Sequence, residues 1–226
     1  MVVSSNPIEI GGFVPLTTID FPHHLSAVIF CQGCPYRCHY CHNPDLIPRK
    51  NRKNRQNNQA GNKFEYSWQK IKDFLLTRVG LLEAVVFSGG EPTLQAGLLA
   101  AIIELKDLGF KIGLHTAGSY PNRLKQVLPY IDWVGMDIKA PFDLYPTITT
   151  IPKSGQKALD SAKLVLASGV EYEFRTTVHP ALLNPQQVSE IKDTLTGMGA
   201  TVHKIQQFRA EGCVNEELNN YPLVVR

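Results

Sequence analysis

No apolar run in this chain approaches the roughly 20 residues that a bilayer crossing requires. Met1–Ile10 also lacks the basic-then-apolar order of a secretory leader. Both absences lead to the expectation of a cytoplasmic protein with no membrane partner. Net charge is scarce as well: +3 over 226 residues gives nucleic acid little electrostatic claim as the main partner. No internal repeat is visible, so a repeat architecture is not expected. An even, dispersed cysteine set is missing too. Of five cysteines, four crowd into Cys31–Cys41 and Cys213 stands alone. Disulfide frameworks rarely look like that, and in a reducing compartment such a cluster points to metal binding or redox chemistry.

A chain of this length at 43% hydrophobic can bury one large core, so residues 1–226 are expected to form one domain. Short β-branched runs alternate with helical patterns, the order that yields parallel strands joined by crossover helices. Strands are predicted at Ala27–Phe30, Ala84–Ser88, Lys111–His115, Trp133–Asp137, Tyr172–Val178 and Val202–Gln207. Helices are predicted at Ser67–Val79, Leu94–Leu108, Pro121–Leu128, Gln156–Ser168 and Pro185–Thr196. Asn184 precedes Pro185 as a capping side chain, and Gly109 and Gly169 suit left-handed C-terminal caps. Six βα-type units are too few for an eight-stranded barrel, which leaves a partial barrel or an open sheet. Arg49–Lys63 carries six basic residues, no acidic ones and no cysteine, and reads as a flexible basic loop within the domain.

The loop after the first predicted strand reads Cys31-Gln-Gly-Cys34-Pro-Tyr-Arg-Cys38-His-Tyr-Cys41-His-Asn-Pro44. In parallel α/β folds such a loop lies at the C-terminal edge of the sheet, where these enzymes place their chemistry. Two arrangements compete. As two CxxC pairs, the four thiolates would close a zinc or iron-sulfur site, with a cramped three-residue spacer. As C-x3-C-x2-C, Cys34, Cys38 and Cys41 bind a four-iron cube and leave one iron open to a substrate.

Further along, Gly89-Gly90-Glu91-Pro92 follows the second strand, reading either as a ligand-approaching turn with a carboxylate beside it or as a tight βα turn. Asp137 and Lys139 leave the fourth strand on one side, as a binding pair or as an exposed ion pair. Thr116, next to His115, and His179, closing Arg175-Thr-Thr-Val-His179-Pro180, end two other strands on the same edge.

The C-x3-C-x2-C spacing with Tyr40 before its last cysteine resembles the radical S-adenosylmethionine (SAM) superfamily. His-Asn-Pro after Cys41, GGE, DxK, RTTVHP and Gln206-Gln-Phe-Arg209 make the chain similar, over nearly its whole length, to glycyl-radical-enzyme activating proteins, most of all those of anaerobic ribonucleoside-triphosphate reductases. That resemblance implies a partial (β/α)6 barrel and one [4Fe-4S] cluster on Cys34, Cys38 and Cys41, with Cys31 a bystander. It implies SAM contacts from Tyr40, Gly89, Gly90, Glu91, Asp137 and Lys139, while Thr116 and His179, at strand ends on the same edge, are expected to bind SAM or to shape the cavity for the partner's loop. The activity it implies is reductive cleavage of SAM to a 5′-deoxyadenosyl radical, which makes a glycyl radical on a partner enzyme, the anaerobic reductase. A flavodoxin- or ferredoxin-type reductant would supply the electron. A radical SAM enzyme acting on a small molecule, RNA or peptide, and a non-catalytic zinc or iron-sulfur protein, are the alternatives.

Overall fold

A computed structural model describes residues 8–48 and 66–222; the basic segment Arg49–Lys63 lies outside them. Seven strands form one sheet: β1 (Ile10–Thr17), β2 (Ser26–Cys31), β3 (Ala84–Gly89), β4 (Lys111–Thr116), β5 (Trp133–Asp137), β6 (Glu171–Val178) and β7 (His203–Gln207). Their spatial order is their chain order. From β2 to β7 every neighbour is parallel, and only β1 pairs antiparallel, with β2. No pairing joins β1 to β7 in the described sheet, so this is a partial barrel, as expected. Among the described residues no helix is long and apolar enough to cross a membrane.

Period-two alternation sorts the strand residues into two cores. Ala27, Ile29 and Cys31 of β2, with Val85 and Phe87 of β3 and Ile112 and Leu114 of β4, pack under the helices. Val28 and Val86 face the other way, into the barrel, where Phe21 from the β1–β2 turn packs against Trp133 at 5.8 Å between ring centroids. Each large apolar side chain that is fully buried in this way contributes about 1.5–3 kcal/mol. The helices between parallel strands are α1 (Trp68–Leu76), α2 (Leu98–Asp107), α3 (Pro121–Val127), the short α4 (Tyr145–Thr149), α5 (Ser154–Ser168) and α6 (Pro185–Gly197), and α7 (Glu216–Asn219) follows β7. Asn184 and Gln187 close a reciprocal capping box on α6, and Gly109 and Gly169 take the left-handed conformation expected of them.

The structure departs from the sequence expectation in several places, α1 among them, which ends at Leu76 rather than Val79. β1 was not foreseen. α2 starts at Leu98 rather than Leu94, because the Glu91 side chain caps a separate 3-10 turn, Pro92–Leu94, and Gln95 then leaves it extended. The short α4 and α7 were also unforeseen, and both prove to brace the site.

Candidate cluster and cofactor site

The C-terminal ends of β3, β4, β5 and β6 open, with the loop after β2, onto one cavity of about 190 Å³. That loop carries Cys34, Cys38 and Cys41, and all three line the cavity. It is folded back on itself by Gly33 N–H donating to the Leu46 carbonyl at 2.7 Å and Cys34 N–H to that of Ile47 at 3.1 Å. The buried Gln32 amide adds bonds to the carbonyls of Asp45 (2.9 Å) and Pro48 (2.7 Å).

Cys31 behaves differently. As the last residue of β2 it shares parity with Ala27 and Ile29, so its thiol enters the outer core and is fully buried there. The two-pair arrangement of four cysteines therefore has no geometric support. Burial, with the charge of Glu91, pushes the Cys34 thiol up to about 12, and burial raises Cys38 as well. Both are neutral thiols at neutral pH, so a metal held there would release their protons.

Gly89 and Gly90 line the cavity, but the close approach they permit is to protein. A Cβ at Gly89 (φ +111°) would meet the backbone nitrogen of Cys31 at 2.5 Å, and one on Gly90 would crowd the Gly33 carbonyl oxygen. These glycines seat the βα turn directly under the cysteine loop.

Glu91 follows directly in the same turn. Its carboxylate is fully buried and absent from the cavity wall. Oε1 accepts from Thr93 N–H (3.0 Å), Thr93 Oγ1 (2.6 Å) and Thr116 Oγ1 (2.8 Å), and Oε2 accepts from Ala117 N–H (2.9 Å). These bonds tie the ends of β3 and β4 together through Glu91 and leave Oε2 with a single donor. His179 follows β6 directly. It is 1% exposed and off the wall. Nδ1 accepts from Ala181 N–H at 3.1 Å, so Nε2 carries the proton and donates to the Leu218 carbonyl at 3.1 Å. Both ring nitrogens are satisfied inside the protein.

The remaining expected residues meet at the cavity: Tyr40, Thr116, Asp137 and Lys139 all line it. Lys139 Nζ donates to Asp137 Oδ2 at 3.1 Å and lies 5.5 Å from the Tyr40 ring centroid. Burial works against the charge of Lys139, but its surroundings, with the Asp137 carboxylate in contact, raise it well above the usual lysine range. Burial likewise works against Asp137, and Lys139 and Arg175 hold its carboxyl below the usual carboxylate range.

Arg175, which the sequence marks only as part of a strand end, lines the cavity with Nε 3.5 Å from Asp137 Oδ1. Its Nε is buried without a hydrogen-bond partner. His42, His115 and Thr177 also line the wall. Parity carries the signal for Arg175 and Thr177, since both leave β6 on the face that Asp137 uses on β5.

The sequence profile of the Radical SAM superfamily matches residues 28–196, well over half the chain. The chain belongs to the radical SAM superfamily. It aligns at 32% identity over 224 residues, 95% of its own length and 85% of the relative's, with a protein of Methanocaldococcus jannaschii provisionally named a glycyl-radical enzyme activating enzyme. With the pyruvate formate-lyase-activating enzyme of Clostridium pasteurianum it shares 34% identity over 170 residues, 72% of this chain and 66% of that enzyme. Streptococcus suis SuiB bound to S-adenosylmethionine superposes at a TM-score of 0.60 with 15% identity, over 79% of this chain and 39% of SuiB, a likeness of fold alone.

A radical SAM protein uses a [4Fe-4S] cluster and SAM, and the residues present suit both. Three thiols face one cavity while the fourth is turned into the core, which matches a cube with one open iron. Beside them stand an ammonium, a guanidinium whose Nε makes no hydrogen bond and a carboxylate, the complement of the carboxylate and ammonium groups of an amino acid.

Proposed function

We propose that this radical SAM protein is a glycyl-radical enzyme activating protein whose partner is anaerobic ribonucleoside-triphosphate reductase. Its electron donor is a flavodoxin- or ferredoxin-type protein. The observation that carries the reading is the outward turn of Cys31, which leaves three thiols rather than four at the cavity. Cys34, Cys38 and Cys41 hold the cluster. Lys139 and Arg175 bind the SAM carboxylate. Asp137 accepts from the ammonium or ribose, the Gly89–Gly90 backbone and Thr116 shape the floor, and Tyr40 packs near the adenine. The bound cofactors supply one-electron cleavage of SAM to methionine and a 5′-deoxyadenosyl radical, which takes a hydrogen atom from a glycine Cα of the partner. The chain's own task is to orient SAM and to keep water and stray hydrogen donors away. The names of the relatives support the activating role, and the motif set from Cys34 to Arg209 supports the choice of partner.

The test is anaerobic reconstitution with iron and sulfide, then dithionite reduction with SAM and assay for 5′-deoxyadenosine. Incubation with the reductase should then give a glycyl radical in electron paramagnetic resonance. Formation of 5′-deoxyadenosine with no protein radical would move the chain to another substrate. A preparation that retains zinc and never turns over SAM would end the radical reading.

A further inference from the structure

The cysteine loop is gripped from two sides. On one side, Arg37 N–H donates to the Thr149 carbonyl at 3.0 Å and His39 N–H to that of Ile148 at 3.3 Å, both in α4. On the other, the chain beyond β7 returns over the loop. Asn215 Nδ2 donates to the His39 carbonyl at 3.2 Å, and His42 Nε2 donates to the Arg209 carbonyl at 2.8 Å. Gly212 packs so closely that a Cβ there would lie 2.8 Å from the His42 carbonyl oxygen. His39 is therefore held by its N–H from one jaw and by its C=O from the other. It lies between Cys38 and Cys41, whose own turn is closed by Cys41 N–H donating to the Cys38 carbonyl at 3.2 Å.

Asn215 is anchored from behind. Its Oδ1 caps α7 by accepting from Glu217 N–H (3.1 Å) and Leu218 N–H (3.4 Å). Leu218 is buried, and its carbonyl takes the proton of His179 Nε2 at 3.1 Å. Asn219 Nδ2 adds a bond to the Cys213 carbonyl at 2.8 Å. A continuous line of contacts thus runs from the end of β6 through His179 and α7 to Asn215, and from its amide to the peptide between two cavity cysteines.

We infer that Asn215 is a positioning residue for the cluster: its amide fixes the His39 peptide, and with it the spacing of Cys38 and Cys41. This rests on the reading that Cys34, Cys38 and Cys41 hold the cluster. Outer groups that orient metal ligands commonly change metal retention ten- to a hundredfold when removed.

Asn215→Asp isolates the contact, because it keeps the oxygen that caps α7 and puts an acceptor where the donor faced the His39 carbonyl. With reconstituted protein and no SAM, loss of visible absorbance to an iron chelator should be about tenfold faster in Asn215→Asp than in the wild type. The reduced cluster should show a broadened or shifted electron paramagnetic resonance spectrum. The urea midpoint of the metal-free protein should hardly move. Should Asn215→Asp not fold, Asn215→Ser keeps a capping oxygen and is too short to reach His39, and it gives the same comparison. Equal loss rates and identical spectra in variant and wild type would overturn the inference while leaving the ligand assignment intact. A wild type that assembles no cluster would instead defeat the assignment itself.

Discussion

Cys31→Ala should leave iron and sulfide content after reconstitution unchanged and lower stability by about 1 kcal/mol. Cys34→Ala, Cys38→Ala or Cys41→Ala should each abolish the intact cluster and 5′-deoxyadenosine formation. Metal analysis and visible absorbance separate the two outcomes. Lys139→Met removes the charge that pairs with Asp137 and should weaken SAM binding to the reconstituted protein roughly ten- to a hundredfold, as expected for a charged hydrogen bond, measured by equilibrium dialysis. His115 gives a pH signature. Burial, helped by the Arg175 charge, lowers it to about 4, and its Nε2 donates to the Asp20 carbonyl at 2.9 Å. The unfolded chain takes up this proton near pH 6.5, the folded chain only near 4. The stability that the neutral ring contributes is thus complete above pH 6.5 and is lost as the pH falls toward 4. In His115→Asn the urea midpoint of the metal-free protein should fall less between pH 7 and pH 4.5 than in the wild type. At this scale the sequence told which positions reach the cavity edge better than what each side chain does there. Tyr40, Thr116, Asp137 and Lys139 line the cavity as the motifs indicate, whereas the hydrogen bonds that Glu91 and His179 make to Thr93, Thr116, Ala117, Ala181 and Leu218 are set by tertiary packing.

The six parallel strands were legible because β-branched runs at regular spacing mark them, and each observed strand differs from its expected span by at most one residue at either end. β1 was not, since Ile10–Thr17 contains Gly11, Gly12 and Pro15 and has little strand propensity of its own. Its pairing with β2 supplies the missing preference, with irregular register on both sides of the Gly12–Val14 stretch, and an edge position tolerates the proline. The βα turn after β3, set against the turn between α2 and β4, offers a test. Gly109→Ala, at φ +90° with open space around it, should cost about 1–2 kcal/mol and leave cluster loading intact. Gly89→Ala suffers the same conformational cost and also drives a methyl into the backbone of Cys31, so it should cost more and impair loading. Urea unfolding and iron content, measured on both variants, read the difference.

Across the whole molecule, the sheet distributes labour by face and by end. Its outer face is covered by helices, its inner floor is filled by Phe21, Val28, Val86 and Trp133, and its C-terminal rim carries the cysteines and the ionic groups. That division was foreshadowed by the order of strands and motifs; the clamp from α4 and α7 was not, because helices of 5 and 4 residues leave no periodic trace. Among the described residues the strand order also stops short of a ring: β1 and β7 are both edges. A closed ring would offer a hole, and a hole is entered end first. An unjoined wall makes a slit, which a polypeptide can enter broadside, bringing a residue from the middle of its chain while both flanking stretches stay outside.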